Sequence, residues 1–214
     1  MAFPGHDGPT RFGRLLAEPG VVEHCELRSR FGFMAFHGGA LERQTDRIAR
    51  AAADASGASL YVVEHPPPDP AHFPSTDVRR DQSPVLHRFF DHVEVVVTIH
   101  GFGRQGLFTS LLLGGRNREL AARLEAELAP ALPEYDIVTD LELIPRELRG
   151  LHPGNPVNVP RLAGVQIELP PRVRGLTPHW AGWDGEGFVP PAAALVESLA
   201  RVARSWDPPM EPSS

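Results

Sequence analysis

Residues 93–99, Val-Glu-Val-Val-Val-Thr-Ile, constrain the fold of this chain more than any other segment. The run is β-branched, almost continuously apolar and too short for a buried helix. It reads as a strand covered on both faces, the mark of a parallel strand inside a sheet flanked by helices. It ends on His100-Gly101, so the strand delivers a histidine to its C-terminal end. In open α/β sheets that edge is where ligands and reacting groups gather. A second segment behaves likewise: Gly32-Phe33-Met34-Ala35-Phe36 runs into His37-Gly38-Gly39, with Glu42 close behind.

Short apolar runs alternate with helical spacings along the rest of the chain. Residues 21–28 alternate weakly, and residues 31–36 and 59–63 read as strands. The spacing of Leu41, Ile48, Ala52 and Ala55 predicts a helix over residues 42–56, stopped by Gly57. Residues 66–75 are proline-rich and predict a loop. Residues 83–91 predict a short helix with Pro84 in its first turn. An apolar run at 107–113, an amphipathic helix over 117–132, strands at 135–143 and 164–169, and a last helix over 190–206 complete the pattern. Together they predict the α/β class: a single-domain three-layer sandwich with a mixed, mostly parallel sheet. The domain is expected to span residues 1–206, with 207–214 as a disordered tail.

Composition narrows the function. A net charge of −6 gives no electrostatic case for nucleic acid or for an anionic membrane surface. All 21 basic residues are arginine, which excludes a Schiff-base lysine, a Ser-Lys dyad and a P-loop lysine. Cys25 stands alone, so neither an intrachain disulfide nor a cysteine zinc knuckle can form. The first residues lack the basic and apolar regions of a signal peptide, and no apolar run of about 18 residues occurs. The expectation is a cytoplasmic protein without a membrane or nucleic-acid partner.

The chemistry gathers at the strand ends. In His37-Gly38-Gly39-Ala40-Leu41-Glu42 the glycines permit a sharp turn out of a strand. The histidine then precedes the turn and the glutamate falls in the first helical turn. Zinc accepts imidazole and carboxylate, and a catalytic site uses three protein ligands. His100 offers the third. The alternative is that Glu42 only complements a helix N-terminus. In Gly164-Val165-Gln166-Ile167-Glu168-Leu169, alternation puts Gln166 and Glu168 on one face. Glu168 there is either a general base or part of a solvated edge strand. Gly101-Phe102-Gly103-Arg104-Gln105-Gly106 fits a dinucleotide glycine pattern, but a strand-like run follows where that fingerprint needs a helix. Gly114-Gly115-Arg116 opens a helix and offers a carboxylate or phosphate clamp, or an ordinary solvated arginine.

Taken in order, His37-Gly-Gly-x-x-Glu42-x-x-Thr45, Thr98-Ile-His100-Gly101, Gly114-Gly115, Asn155-x-x-Asn158 and Gly164-Val-Gln-x-Glu168-Leu resemble the poly-γ-glutamate hydrolase family of phages and bacteria. Some of its members carry the label phage-related replication protein. The resemblance runs from about residue 30 to 174. It implies a zinc carboxypeptidase-like fold and kinship with N-formylglutamate amidohydrolases. It also implies Zn²⁺ held by His37, Glu42 and His100, with Glu168 as the catalytic base.

His72, Ser75 and Thr76 match a His-x-x-Ser-Thr stretch of the family, and Arg174 an arginine six residues after the strand glutamate. Two departures fall around the substrate cleft: Asp77 stands where the family has a histidine, and Asn158-Val159 where it often has Asn-Arg, with Arg161 displaced. They bear on the substrate rather than on the metal. Arg116, Arg174 or Arg161 is expected to grip a substrate carboxylate. Asn155 and Asn158 are expected to orient the substrate or support the oxyanion, with His72 and Thr76 beside it.

The expected function is a zinc-dependent hydrolase that cleaves γ-glutamyl bonds of an anionic, glutamate-containing substrate through a metal-activated water. The alternatives are an N-formylglutamate-like amidohydrolase of small N-acyl-amino acids, or a non-catalytic binder of anionic peptides. A long open groove favours the polymer and a closed pocket the small molecule.

Overall fold

The computed structural model describes residues 8–68 and 72–207. Among them, seven strands form one sheet: β1 (Val22–Glu26), β2 (Phe31–Gly39), β3 (Ser59–His65), β4 (Val95–Gly101), β5 (Ser110–Gly114), β6 (Asp136–Val138) and β7 (Gly164–Leu169). Their order across the sheet is β1-β3-β2-β4-β7-β5-β6. The pairs β2–β3, β2–β4, β4–β7 and β5–β6 are parallel, and β1–β3 and β5–β7 antiparallel, so the sheet is mixed and mostly parallel as expected.

Three helices, α2 (Thr45–Ser56), α4 (Arg118–Ala131) and α5 (Pro190–Arg204), cover one face. There Phe33, Val95, Val97, Ile99, Val165 and Ile167 meet Ile48, Leu124 and Leu195. The short α1 (Arg11–Leu15) and α3 (Pro84–His92) cover part of the other face, where Met34, Phe36, Tyr61 and Val96 pack on Phe12, Leu86 and Phe89. Strand alternation then turns Thr98, His100, Gln166 and Glu168 toward this second face, beyond the reach of α3. That uncovered corner is the cleft. No described helix is long and apolar enough to cross a membrane.

Four expectations need correction. The helix after β2 starts at Thr45, not Glu42, because Gln44 takes a left-handed conformation (φ 77°) and separates the turn from the helix. Glu42 therefore sits on a turn, free of helical geometry. The run at 107–113 contributes a strand only from Ser110, and that strand ends the dinucleotide reading, which required a helix. The segment at 135–143 pairs only over Asp136–Val138, at the outer edge of the sheet. Glu168 is not on an edge strand, since β7 lies between β4 and β5. Of the expected tail at 207–214, residues 208–214 lie outside the described residues; Trp206 packs edge-on against Phe31, with ring centroids 5.8 Å apart.

Candidate active site

His37 reaches the cleft through an irregularity in β2. Ala35 pairs with Val62 and Gly38 with Glu64, so three steps along β2 match two along β3. The extra residue is a bulge, which re-aims the side chains that follow it. Strict alternation would leave His37 on the helix-covered side; the bulge turns it toward His100, with ring centroids 5.1 Å apart. Phe36 packs edge-on against both imidazoles at 4.7 Å and fixes their spacing. The two glycines that follow have separate reasons. A Cβ on Gly38 would lie 2.6 Å from Asp46 Cβ, and Gly39 needs φ 67°.

The turn then folds Glu42 back. Its backbone N–H donates to His37 O at 2.7 Å, and Thr45 Oγ1 donates to Glu42 O at 2.7 Å. The carboxylate lies between the two rings: Oε1 is 2.8 Å from His37 Nδ1, and Oε2 is 3.3 Å from His100 Nδ1. The Gly101 N–H donates to Oε2 at 2.8 Å. All three residues are buried, and one donor atom from each lies within 4.8 Å of the others. Each Nε2 is buried without a hydrogen-bond partner. Two imidazoles converging on one buried carboxylate are the donor set that a zinc site uses, so the residues fit a divalent ion.

The electrostatics agree with the geometry. Burial works against the Glu42 charge, but His100 and His37 outweigh it and hold its pKa well below the usual carboxylate range. Burial pushes His37 down to about 4, against the pull of Glu42, so that ring is neutral at pH 7, the form a metal binds. Burial lowers His100 too, yet Glu42 and then Glu168 raise it overall. The carboxylates around His100 ask for a cation.

Glu168 stands opposite His100 in the β4–β7 register. Burial raises its pKa to about 7, the charge on Glu42 adds to the rise, and His100 and a hydrogen bond from Gln166 oppose it. Gln166 Nε2 donates to Glu168 Oε1 at 2.8 Å, and Asn155 Nδ2 donates to Gln166 Oε1 at 2.9 Å. This chain of amides fixes one oxygen of Glu168 and leaves Oε2 without a hydrogen bond from any described residue. A carboxylate near pKa 7 with one free oxygen is suited to general base work.

The cleft around these groups has a volume of about 710 Å³. Of the sequence-predicted residues, His37, Glu42, His72, Thr76, His100, Asn155 and Glu168 line it together. His72 Nε2 lies 3.8 Å from Glu42 Oε1 and its ring 4.7 Å from that of His37. The others are placed elsewhere. Arg116 lines a separate cavity beside the start of α4. Asn158 braces loops, accepting from Arg116 N–H and donating to Gly150 O and His152 O. Arg161 pairs with Glu94. Arg174 is buried with its guanidinium donating to the carbonyls of Leu169, Arg43 and Phe102, so it ties the cleft floor to the turn before α2.

Two residues of the cleft, Arg146 and His152, escaped the sequence reading, as did the role of Gln166. Gln166 was visible by alternation, but nothing in the sequence shows that its amide bonds Glu168. Arg146 and His152, exposed on the cleft wall, come from an irregular segment without a periodic signal.

The sequence profile of the family described as poly-gamma-glutamate hydrolase matches residues 16–177. Among solved structures, a bacteriophage poly-gamma-glutamate hydrolase superposes with a TM-score of 0.69 at 20% identity, covering 87% of this chain and 90% of its own. YNDL in an apo, zinc-free form superposes with a TM-score of 0.67 at 19% identity, covering 86% and 90%. At such identities the likeness speaks for the fold. No curated protein matches the chain.

Proposed function

Since this chain belongs to the poly-gamma-glutamate hydrolase family, we propose that it is a zinc-dependent hydrolase of γ-glutamyl amide bonds. The observation that carries the reading is the juxtaposition of a buried His37–Glu42–His100 cluster with a separately buried Glu168 held near neutrality. The description of YNDL as zinc-free is consistent with zinc as the family metal. His37, Glu42 and His100 would hold the ion, and zinc so held supplies Lewis acidity to a carbonyl and to water.

The chain's own groups do the rest. Glu168, with Oε1 tied to Gln166, takes the proton from the attacking water on Oε2 and returns it to the leaving amine. Gln166 and Asn155 keep that carboxylate in one rotamer. His72 and Thr76 line the same cleft and would meet the substrate there. The rim is exposed at His72, Pro74, Arg146, Glu147, Leu151 and His152, which suits a chain lying across the cleft better than a small acyl-amino acid enclosed in it.

The test is hydrolysis of poly-γ-glutamate by zinc-loaded protein, compared with N-acylglutamates and with an α-linked polyglutamate. Faster cleavage of the γ-linked polymer is expected. Turnover of only the small amides would replace this reading with the amidohydrolase one.

A further inference from the structure

A polyanionic substrate must enter a cleft whose walls carry three acids, Glu42, Glu147 and Glu168. Two are compensated locally. Glu42 lies between two imidazoles. Glu147 forms an ion pair with Arg104, contributed by the loop after β4. The arginines near the cleft are also mostly committed. Arg174 spends its guanidinium on three backbone carbonyls, Arg104 on Glu147, and Arg149 on Ile144 O and Glu142.

Arg146 differs from all of these. It lines the cleft, is exposed, and makes no side-chain hydrogen bond or ion pair with any described residue. Its backbone is nevertheless fixed. Arg146 opens the 3-10 turn Arg146–Leu148, in which Leu148 N–H donates to Pro145 O at 2.8 Å. Leu148 O accepts from Gln166 Nε2 at 3.2 Å, through the same amide that holds Glu168. Just before the turn, Ile144 is buried against Phe102 and Leu112. A free guanidinium thus stands on backbone tied to the catalytic strand.

We infer that Arg146 is the subsite for a free carboxylate of the substrate, binding it across the cleft from the scissile bond. The inference rests on the hydrolase reading for the position of that bond. In a γ-linked glutamate chain every residue keeps its α-carboxylate, so such a substrate always presents this group. A guanidinium receives a carboxylate through two parallel hydrogen bonds, which an ammonium cannot reproduce.

The test measures binding without turnover. Zinc-loaded Glu168→Gln protein is titrated with a short poly-γ-glutamate and with the same oligomer as its α-methyl ester. Adding Arg146→Ala should weaken binding of the acid about tenfold or more and leave the ester unchanged. Arg146→Lys should recover only part of the loss, and the unfolding temperatures of the variants should coincide. Equal weakening for acid and ester, or no weakening at all, would overturn the subsite, as would failure of the parent variant to bind the acid oligomer. If binding of the acid depends on Arg146 but the wild type never cuts it, the subsite stands and the hydrolase reading falls.

Discussion

Glu42 and Glu168 are both buried carboxylates in one cleft, yet their surroundings drive them in opposite directions. Around Glu42, at the end of β2, two imidazoles and the Gly101 N–H favour the charge, and its pKa falls despite burial. Around Glu168, on β7, burial dominates over the opposing pull of His100, the charge of Glu42 adds to the rise, and the pKa reaches about 7. Two titratable groups pushed apart in this way suit different tasks: an ionised carboxylate suits holding a cation, and a carboxyl titrating near neutral pH suits proton exchange. Burial is common to both, so the difference lies in the partners. Glu42 has two imidazoles and a backbone N–H on its oxygens, while Glu168 has one amide donor, only His100 as a neighbouring imidazole, and the negative charge of Glu42 nearby.

The largest effects should come from breaking the ionised side of this comparison. His37→Ala or His100→Ala should remove zinc and with it essentially all hydrolysis, read as metal per chain by elemental analysis. Full zinc occupancy in either variant would take that histidine out of the ligand set. Next, Glu168→Gln should keep the metal and lower kcat by about 10²–10⁴-fold; near-normal turnover would dismiss Glu168 as the base.

A smaller change sharpens the proton-exchanging side. With Glu168 as the base, turnover would need its ionised form, so the rate should rise with pH through its pKa. The Gln166 hydrogen bond lowers that pKa, so Gln166→Leu should move the acid limb of the kcat profile to higher pH, with zinc retained. An unmoved limb would mean that Gln166 only fills space.

The last prediction concerns stability in metal-free protein. The carboxyl of Glu168 keeps its proton up to about pH 7 in the fold but loses it near 4.5 when unfolded. Its contribution to stability is therefore complete below about pH 4.5 and lost as pH rises through about 7. Glu168→Gln should then be more stable than the wild type above pH 7, by on the order of 3 kcal/mol, and close to it at pH 4.5. Thermal unfolding at the two pH values reads this directly. A gap that did not change with pH would contradict the raised pKa.

The two halves of the site were unequally legible in the sequence. Short apolar runs ending on His37 and His100 betray strands and their ligand-bearing ends, because strand length and strand end can both be read from one dimension. Alternation likewise put Gln166 and Glu168 on one face. What stayed hidden depends on the third dimension. The β2 bulge that turns His37 inward changes no residue type. The left-handed Gln44 detaches Glu42 from the helix, although its neighbours look helical. Arg174 and Arg116 looked suited to a carboxylate from sequence, and only tertiary contacts show that the first is spent on carbonyls and the second lines another cavity. The strand-borne half of the site obeys local rules, whereas the wall at 146–155 is irregular and takes its placement from hydrogen bonds across the fold.

The most direct test of the account prepares wild type and Glu168→Gln side by side and measures zinc content and poly-γ-glutamate cleavage on the same samples. About one zinc per chain is expected in both, with cleavage by the wild type alone. Absence of zinc from both after reconstitution, or equal cleavage by both, would contradict it.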